Sequence, residues 1–314
     1  MSKISVIGAG SVGATIANDL MVQGVASEIV LIDINEKKAF GEALDIYQSA
    51  PFVSPAIVTS GDYPDADGSD IVVITCGIAR KPGMSRLDLA QTNVNILKDV
   101  AKNIVPHAPD AIYIIVSNPV DILTYVFAKV SGIPENRIIG SGTILDTSRL
   151  QSYLAKRFLI SPKNVHAYVF GEHGDTAFVP WSHANIANIS IDEYKEASPD
   201  KDKIDWNKNY DEVEEFVRKS GALIIENKGA TFYAVAMSVC HLCKCIFADA
   251  GTALSVSTMM HGEYGVSDVC LSTLVLIDRE GIRGKILNQL NETELNKLHT
   301  SADKLKSVLS EISF

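Results

Sequence analysis

Short apolar runs alternate with amphipathic stretches along the first half of the chain. Runs such as "KISVIG", "EIVLIDI" and "IVVITCG" are rich in Val and Ile, and each is followed by a stretch with helical periodicity, for example near 37–47 and 87–104. Uninterrupted apolar strands are typical of parallel sheets covered on both faces, and their alternation with helices implies crossover connections. The first half therefore predicts an α/β, doubly wound parallel sheet.

The pattern changes after "RIIGSG". The second half mixes long helical stretches with β patterns. We predict helices near 145–159 and 211–226, a strand over 165–171, a buried helix within "GATFYAVAMSVCHLCKCIFADAG", a hairpin within 253–278 and a polar C-terminal helix. Strands and helices that do not alternate regularly favour an α+β domain. We expect two abutting domains, a parallel α/β domain over 1–143 and an α+β domain over 144–314.

Charge and composition narrow the function. The chain has 28 Lys and Arg against 38 Asp and Glu, and a net charge of −10 argues against a general nucleic-acid binder. No apolar run reaches the roughly eighteen residues of a membrane span, and "MSKISVIG" leads into a strand rather than a signal peptide. Five cysteines, an odd number, do not make a disulfide framework. We therefore expect a cytoplasmic protein without nucleic-acid or membrane partners.

The segment "CHLCKC" (240–245) has two interpretations. Its cysteines and histidine resemble part of a metal site, but the chain has no second cluster to complete a tetrahedron. The segment lies within a long apolar run that predicts a buried helix, where thiols pack well. Core packing is the favoured interpretation, and we assign no metal.

A glycine-rich turn predicts a dinucleotide site. "GAGSVG" follows the first strand and opens a helix, and in this pattern Gly8 forms the tight turn, Gly10 lets backbone amides approach a pyrophosphate, and Gly13 lets helix and strand pack closely. Asp33 ends the second strand, twenty residues after Gly13. A carboxylate at that place accepts hydrogen bonds from a ribose 2′-hydroxyl and repels a 2′-phosphate. The sequence thus predicts NAD rather than NADP as the cofactor.

Three further motifs suggest oxo-acid chemistry. "GEHGD" (171–175) places His173 after a predicted strand, "LDTSRL" places Asp146 and Arg149 on one helical face, and "VSNPVD" ends a strand at Asn118. Reduction of a ketone needs a proton donor with a near-neutral pKa, and histidine suits that role when a carboxylate orients it. An arginine fork suits a substrate carboxylate. Each residue alone also fits a structural role, as a turn histidine, a helix cap or a surface ion pair.

Together, "GAGSVG", "GEHGD" and "GATFYA" resemble the L-lactate/malate dehydrogenase family over essentially the whole chain. The resemblance implies a Rossmann cofactor domain, a separate substrate domain and a homotetramer or homodimer. It also implies that His173 is the acid/base, that Asp146 is its partner, that Arg149 binds the substrate carboxylate, and that Arg86 polarises the carbonyl while Asn118 orients it. The cofactor set that we assign is completed by Ser11, Val12, Thr75, Gly77 and Asn118.

The substrate depends on one loop position. In this family, malate dehydrogenases carry arginine where Arg80 stands and lactate dehydrogenases usually carry glutamine. A second substrate carboxylate in a closed pocket needs a second cation, because an unpaired buried charge is costly. Thr231 in "GATFYA" instead resembles lactate dehydrogenases. We expect a lactate dehydrogenase-like enzyme that interconverts oxaloacetate and malate and retains some pyruvate activity. The alternative is a plain L-lactate dehydrogenase that uses pyruvate only.

Two other classes share parts of the pattern. NAD-dependent glycoside hydrolases have this fold with a Cys- and His-bound metal, but they are longer, and no suitable Cys–His pair lies beside the active-site motifs in this sequence. A non-catalytic NAD sensor would keep "GAGSVG" without needing His173, Asp146 and Arg149 together. An NAD-dependent 2-hydroxy acid oxidoreductase accounts for all the motifs.

Overall fold

Six parallel strands form the first half of the fold in a computed structural model, which describes residues 2–79 and 83–314. The strands are β1 (Lys3–Ile7), β2 (Glu28–Ile32), β3 (Ile57–Gly61), β4 (Ile71–Ile74), β5 (Ile112–Ile115) and β6 (Ile138–Gly140). The helices between them are α1 (Ser11–Val22), α2 (Glu36–Tyr47), α3 (Arg86–Ile104) and α4 (Val120–Val130). The predicted doubly wound parallel sheet is confirmed.

The second half contains most of the remaining helices and the antiparallel strands. Its helices are α5 (Ile144–Phe158), α6 (Ile191–Ala197), α7 (Tyr210–Lys228), α8 (Tyr233–Ala248) and α9 (Glu292–Glu311). Its strands are β7 (Val165–His166), β8 (Asn185–Ile186), β9 (Ile189–Ser190), β10 (Thr252–His261), β11 (Ser267–Asp278) and β12 (Gly281–Lys285). The predicted α+β character of this half is confirmed.

One sheet runs through both halves. Its nine strands lie in the order β12-β11-β10-β6-β5-β4-β1-β2-β3, and β10 joins antiparallel to β6 where Ser257 pairs with Gly140. The hairpin of β10 and β11 thus extends the cofactor-binding sheet rather than forming a sheet of its own. This continuity fixes the C-terminal half against the carboxyl end of β6.

Alternation along the strands divides the core into two layers. In β4, Ile71 and Val73 face the layer that contains α1 and α8, whereas Val72 and Ile74 face the layer that contains α3 and α4. All four side chains are fully buried. A sheet covered on both faces requires such continuous apolar runs, which is why β4 carries no polar residue.

One sequence prediction is wrong in the structure and another is confirmed. The strand predicted over 165–171 is only the two-residue β7, and beyond it Phe170 and Gly171 form single bridges with Phe178 and Ser272. The cysteines of "CHLCKC" lie in α8, where Cys240 and Cys243 are fully buried in the core beside α1. The apolar periodicity, not the thiol spacing, describes that segment.

Candidate active site

The turn after β1 is built so that only glycine fits at two positions. Gly8 has φ of +105°, and its amide donates to the carbonyl of Ile32 at 2.7 Å. A Cβ on Gly13 would lie 1.8 Å from the carbonyl oxygen of Gly8, so the first turn of α1 packs directly on the strand. The hydroxyl of Thr75 donates to the same Gly8 carbonyl at 3.0 Å, which fixes the turn against β4.

The residues beyond this turn fit a dinucleotide. A Cβ on Gly10 would meet no described heavy atom within 4 Å, so the missing side chain leaves an open cradle rather than a packing contact. Within the described chain no side chain caps α1 and no acidic residue lies in its first turn, which leaves its partial positive charge for an anion. Asp33 follows β2, and its carboxylate accepts from the amides of Ala9 and Asn35 at 2.7 and 2.8 Å.

A cleft of about 490 Å³ lies between the carboxyl ends of the parallel strands and helices α5 and α7. It gathers residues that the sequence assigned to cofactor, substrate and catalysis, namely Val12, Thr75, Gly77, Asn118, Asp146, Arg149, His173 and Thr231. The glycine turn residues Gly8, Gly10, Ser11 and Gly13 and the carboxylate Asp33 are not among its described lining residues. The cleft therefore contains the residues predicted for substrate and catalysis but not the glycine turn.

Asp146 connects two cations at the centre of the cleft. Its Oδ2 lies 2.5 Å from Nδ1 of His173, and its Oδ1 accepts from Arg149 at 2.7 Å. Although burial opposes ionisation, the charge of His173, its hydrogen bond and the charge of Arg149 hold the pKa of Asp146 below its usual value. The same Asp146 charge raises the pKa of His173. The pair thus favours a protonated imidazole held in one orientation.

Arg149 has free donors in this cleft. Its side chain is 13% exposed, and its buried Nε has no hydrogen-bond partner among the described residues. Gly221 of α7 lies beside it, and a Cβ there would come within 3.3 Å of Nη2. A buried guanidinium N–H without an acceptor is unfavourable, so the site suits a ligand that brings one, such as a carboxylate.

Two buried polar residues beside the cleft were missed by sequence reasoning. Asp121, in the first turn of α4, accepts from the main-chain amide of His173 at 2.7 Å and from the Ser257 hydroxyl at 2.5 Å. Asn93 of α3 accepts from the amide of Ile78 and donates to the carbonyl of Asn118. The available signal was a polar residue inside an otherwise apolar helical face, and for Asp121 its position at the end of "VSNPVD".

Arg86, one of the two predicted loop arginines, is not among the residues that line the described cleft. Arg86 is the first residue of α3, and its guanidinium pairs with Asp175 at 2.5 Å on the surface, where the two side chains are 67% and 61% exposed. The hydrogen bond and charge of Arg86 lower the pKa of Asp175. Arg80 lies outside the described residues. The roles assigned to both arginines stay predictions.

The described residues contain neither a metal-binding cluster nor a membrane-spanning helix. Across 2–79 and 83–314, no cluster of three His, Cys, Asp or Glu side chains has the geometry to hold a metal ion. None of the helices in that part of the chain combines the length and the apolar composition of a membrane span.

Comparisons with known proteins agree with this geometry. Residues 2–140 match the family model for the lactate/malate dehydrogenase NAD binding domain. Residues 143–313 match the model for the lactate/malate dehydrogenase alpha/beta C-terminal domain. The two models together cover nearly the whole chain.

Relatives and solved structures are similar over their full lengths. The L-lactate dehydrogenase of Clostridium botulinum (strain Hall) is 49% identical over 313 residues, which are 99% of this chain and 97% of that protein. L-lactate dehydrogenase 1 of Clostridium acetobutylicum is 46% identical over 311 residues, 99% of this chain and 98% of the relative. The crystal structure of the minor L-lactate dehydrogenase from Enterococcus mundtii, in a ligands-bound form, superposes with a TM-score of 0.94 at 36% identity and covers 100% of this chain and 99% of that one.

Proposed function

The chain belongs to the lactate/malate dehydrogenase family and is an NAD-dependent oxidoreductase, and from this premise we propose that it interconverts pyruvate and L-lactate. The relatives named L-lactate dehydrogenase support this pyruvate alternative better than the oxaloacetate expectation from Arg80. The observation that carries the proposal is the contact of 2.5 Å between His173 Nδ1 and Asp146 in a cleft that also contains Arg149.

His173 is the proposed proton donor and acceptor. An ionised carboxylate only accepts hydrogen bonds, so Asp146 keeps the proton of Nδ1 in place and leaves Nε2 to exchange a proton with the substrate oxygen. In reduction the imidazolium gives this proton to the developing alkoxide. In oxidation the neutral ring removes it from the hydroxyl. Because the Asp146 charge raises the pKa of His173, the protonated form is available near neutral pH.

Arg149 is the proposed anchor for the substrate carboxylate. Its unpartnered Nε faces no acceptor among the described side chains, while Asp146 holds one of its terminal nitrogens. One arginine balances the one carboxylate of pyruvate, which leaves no uncompensated charge in a closed pocket. Asn118 and Thr231 line the cleft and would orient the substrate, and Arg86 would polarise its carbonyl after leaving Asp175.

The cofactor would lie across the glycine turn and the cleft. Bound NAD supplies the hydride acceptor for oxidation, and NADH supplies the hydride for reduction. Asp33 would accept from the ribose hydroxyl, since a carboxylate with two amide donors still has lone pairs free. The remaining residues proposed to hold the cofactor are Gly8, Gly10, Ser11, Val12, Gly13, Thr75, Gly77 and Asn118.

Oxaloacetate is a second candidate substrate because the sequence places Arg80 in the loop before α3. A second carboxylate needs a second cation, and in this family arginine at that position is typical of malate dehydrogenases. Against this candidate stand the names of the relatives and the threonine at 231. Oxaloacetate carries one more carboxylate than pyruvate, so a single arginine should strongly change the ratio of the kcat/KM values for the two substrates.

The ratio of kcat/KM for pyruvate and oxaloacetate tests both candidates. We expect pyruvate to be the better substrate, and we expect Arg80→Gln to lower the oxaloacetate value by about tenfold or more, the cost of an unpaired carboxylate. Lys81→Gln, which removes the neighbouring charge, is the matched control. Oxaloacetate preferred over pyruvate in the unaltered enzyme would replace the first candidate with the second.

Loss of both activities in His173→Ala, but not in the distant His107→Ala, tests the acid/base role.

The domain boundary, the oligomeric state and the cellular location are also proposals. A division into domains over 1–143 and 144–314 would place α5 at the start of the substrate domain. Phe40, Leu44 and Tyr47 form an exposed apolar stripe on α2, which supports a homotetramer or homodimer. Light scattering of the purified protein measures that state. The free cysteines, all unpaired in the described residues, support a cytoplasmic location.

A further inference from the structure

Asp121 connects the loop of His173 to two other elements. It lies in the first turn of α4, directly after the strand end that carries Asn118, and only 3% of it is exposed. One carboxylate oxygen accepts from the main-chain amide of His173 at 2.7 Å. The other accepts from the hydroxyl of Ser257 on β10 at 2.5 Å. Both oxygens are therefore directed, one toward the loop and one toward the sheet.

The charged and titratable groups around Asp121 come from two elements. His173 and Glu172 face it from the loop, and Cys270 faces it from β11. His173 in turn is affected by Asp146 and Arg149 of α5 in addition to Asp121. Of the groups that act on Asp121, the His173 ring is the one that gains a positive charge near neutral pH, and the negative charge of Asp121 favours that form.

We propose that Asp121 is a positioning residue for His173, whose ionised carboxylate holds the main chain beneath the imidazole and favours the protonated ring. This inference rests on the proposed acid/base role of His173. Asp146 orients the ring from its edge, whereas Asp121 fixes the backbone from which the ring extends. A displaced backbone would carry the ring away from the substrate even with the Asp146 contact intact. The partial positive charge at the start of α4 further favours the anion at Asp121.

Two substitutions separate the charge from the anchor. Asp121→Asn keeps an oxygen for the His173 amide, and its NH2 group can donate to the Ser257 hydroxyl, which also accepts. It therefore removes the charge and retains the anchor. Asp121→Ala removes both, and Ser257→Ala removes the group that directs the carboxylate.

Glu294 provides a matched control. It is also a buried carboxylate, 5% exposed, and it accepts from the main-chain amide and the hydroxyl of Ser182 at 2.9 and 2.7 Å and from the main-chain amide of Asn291 at 3.1 Å. It lies in α9, and it is not among the groups that act on His173. Glu294→Gln therefore reports what the loss of charge at a buried, hydrogen-bonded carboxylate does by itself.

The pH profile of pyruvate reduction is the main measurement. In Asp121→Asn we expect the alkaline midpoint of kcat/KM to move down by about half to one pH unit, because the ring loses a nearby negative charge. In Asp121→Ala we expect kcat to fall about 10- to 100-fold with a small change in pyruvate KM, since the ring is misplaced while Arg149 is untouched. Ser257→Ala should show a smaller loss of the same kind. NMR titration of the His173 ring reports the same midpoint without activity.

The outcomes divide clearly. An unshifted His173 midpoint in Asp121→Asn overturns the inference, even if Asp121→Ala fails to fold. A shift of the same size in Glu294→Gln also overturns it, because the effect would then be a general consequence of a weakened fold. Retained activity in His173→Ala would instead remove the proposed function. If His173→Ala loses activity but the Asp121 variants keep the wild-type kcat and pH profile, the inference is wrong and the proposed function still stands.

Discussion

Asp146 and Asp121 are both buried carboxylates that hold His173, but they differ in what they bind. Asp146 contacts the imidazole and the guanidinium of Arg149, both of which carry or gain positive charge. Asp121 accepts from a main-chain amide and a serine hydroxyl, which are neutral dipoles. Burial raises the pKa of Asp121 to about 6, whereas the pKa of Asp146 is lowered even though burial acts against it.

This difference separates the effect of burial from the effect of a partner's charge. Loss of water penalises a carboxylate anion in any apolar surrounding, and neutral donors recover only part of that cost. A countercharge in direct contact recovers more, so the pKa of Asp146 stays below its usual value and the anion is favoured. Asp121 instead changes charge near pH 6. Asp146 is thus a charged partner of the ring, whereas the charge of Asp121 depends on the pH.

Of the substitutions that compare the two carboxylates, Asp146→Asn should have the largest effect on activity. We expect kcat/KM for pyruvate to fall by about a thousandfold or more, because the amide leaves the imidazolium without its countercharge and also stabilises the wrong tautomer. Asp121→Asn should cost at most about tenfold at pH 7, since it keeps the anchor. Steady-state NADH oxidation measures both. Equal losses in the two variants would contradict the distinction between them.

The two carboxylates also mark how far sequence reasoning reached. Asp146 and Arg149 are three residues apart on one helix, so local geometry predicts that they share a face, and the structure places both in the cleft with His173. Asp121 meets His173 and Ser257 only because α4, the loop and β10 converge after folding. Such a contact leaves no local periodicity in the sequence, and for this reason Asp121 was not assigned to the site.

The fold, too, was predictable where local patterns determine it and not where distant segments meet. Most strands and helices of the parallel half follow from apolar runs and local periodicity and agree with the structure within a few residues, whereas α4 was not predicted. The antiparallel junction of Ser257 with Gly140 joins segments more than a hundred residues apart, and no local pattern predicts it. The strand expected over 165–171 was shortened because its later residues find partners in different segments.

The pH dependence of stability should show the two carboxylates acting with opposite sign. The pKa of Asp121 rises from an ordinary 3.8 to about 6 on folding, so its contribution is fully present below 3.8 and is lost as the pH rises through 6. The two-unit difference corresponds to about 3 kcal/mol. We therefore expect Asp121→Asn to gain up to about 3 kcal/mol of unfolding free energy relative to wild type between pH 4 and 7.

Urea unfolding at intervals over that pH range measures the difference. Asp146 has a lowered pKa, so its contribution is present above 3.8 and is lost as the pH falls through the folded-state value. Acid unfolding below pH 4 should accordingly be less steep in Asp146→Asn than in wild type. Stability curves for Asp121→Asn and wild type that stay parallel from pH 4 to 7 would contradict the opposite signs.

The smallest effect is expected at a third carboxylate, Asp175, which has a charged partner without burial. Its pKa is lowered by the hydrogen bond and charge of Arg86, as that of Asp146 is by its partners, yet both side chains of this pair are mostly exposed. Exposed ion pairs contribute about 0.2–1 kcal/mol. We expect Asp175→Asn to change the unfolding free energy by no more than that, with the change disappearing in high salt. In the proposed mechanism Arg86 leaves Asp175 to reach the substrate carbonyl, so pyruvate KM should fall slightly, by about twofold, in the same variant. A stability loss of several kcal/mol would mean that countercharge alone, without burial, accounts for the behaviour of Asp146.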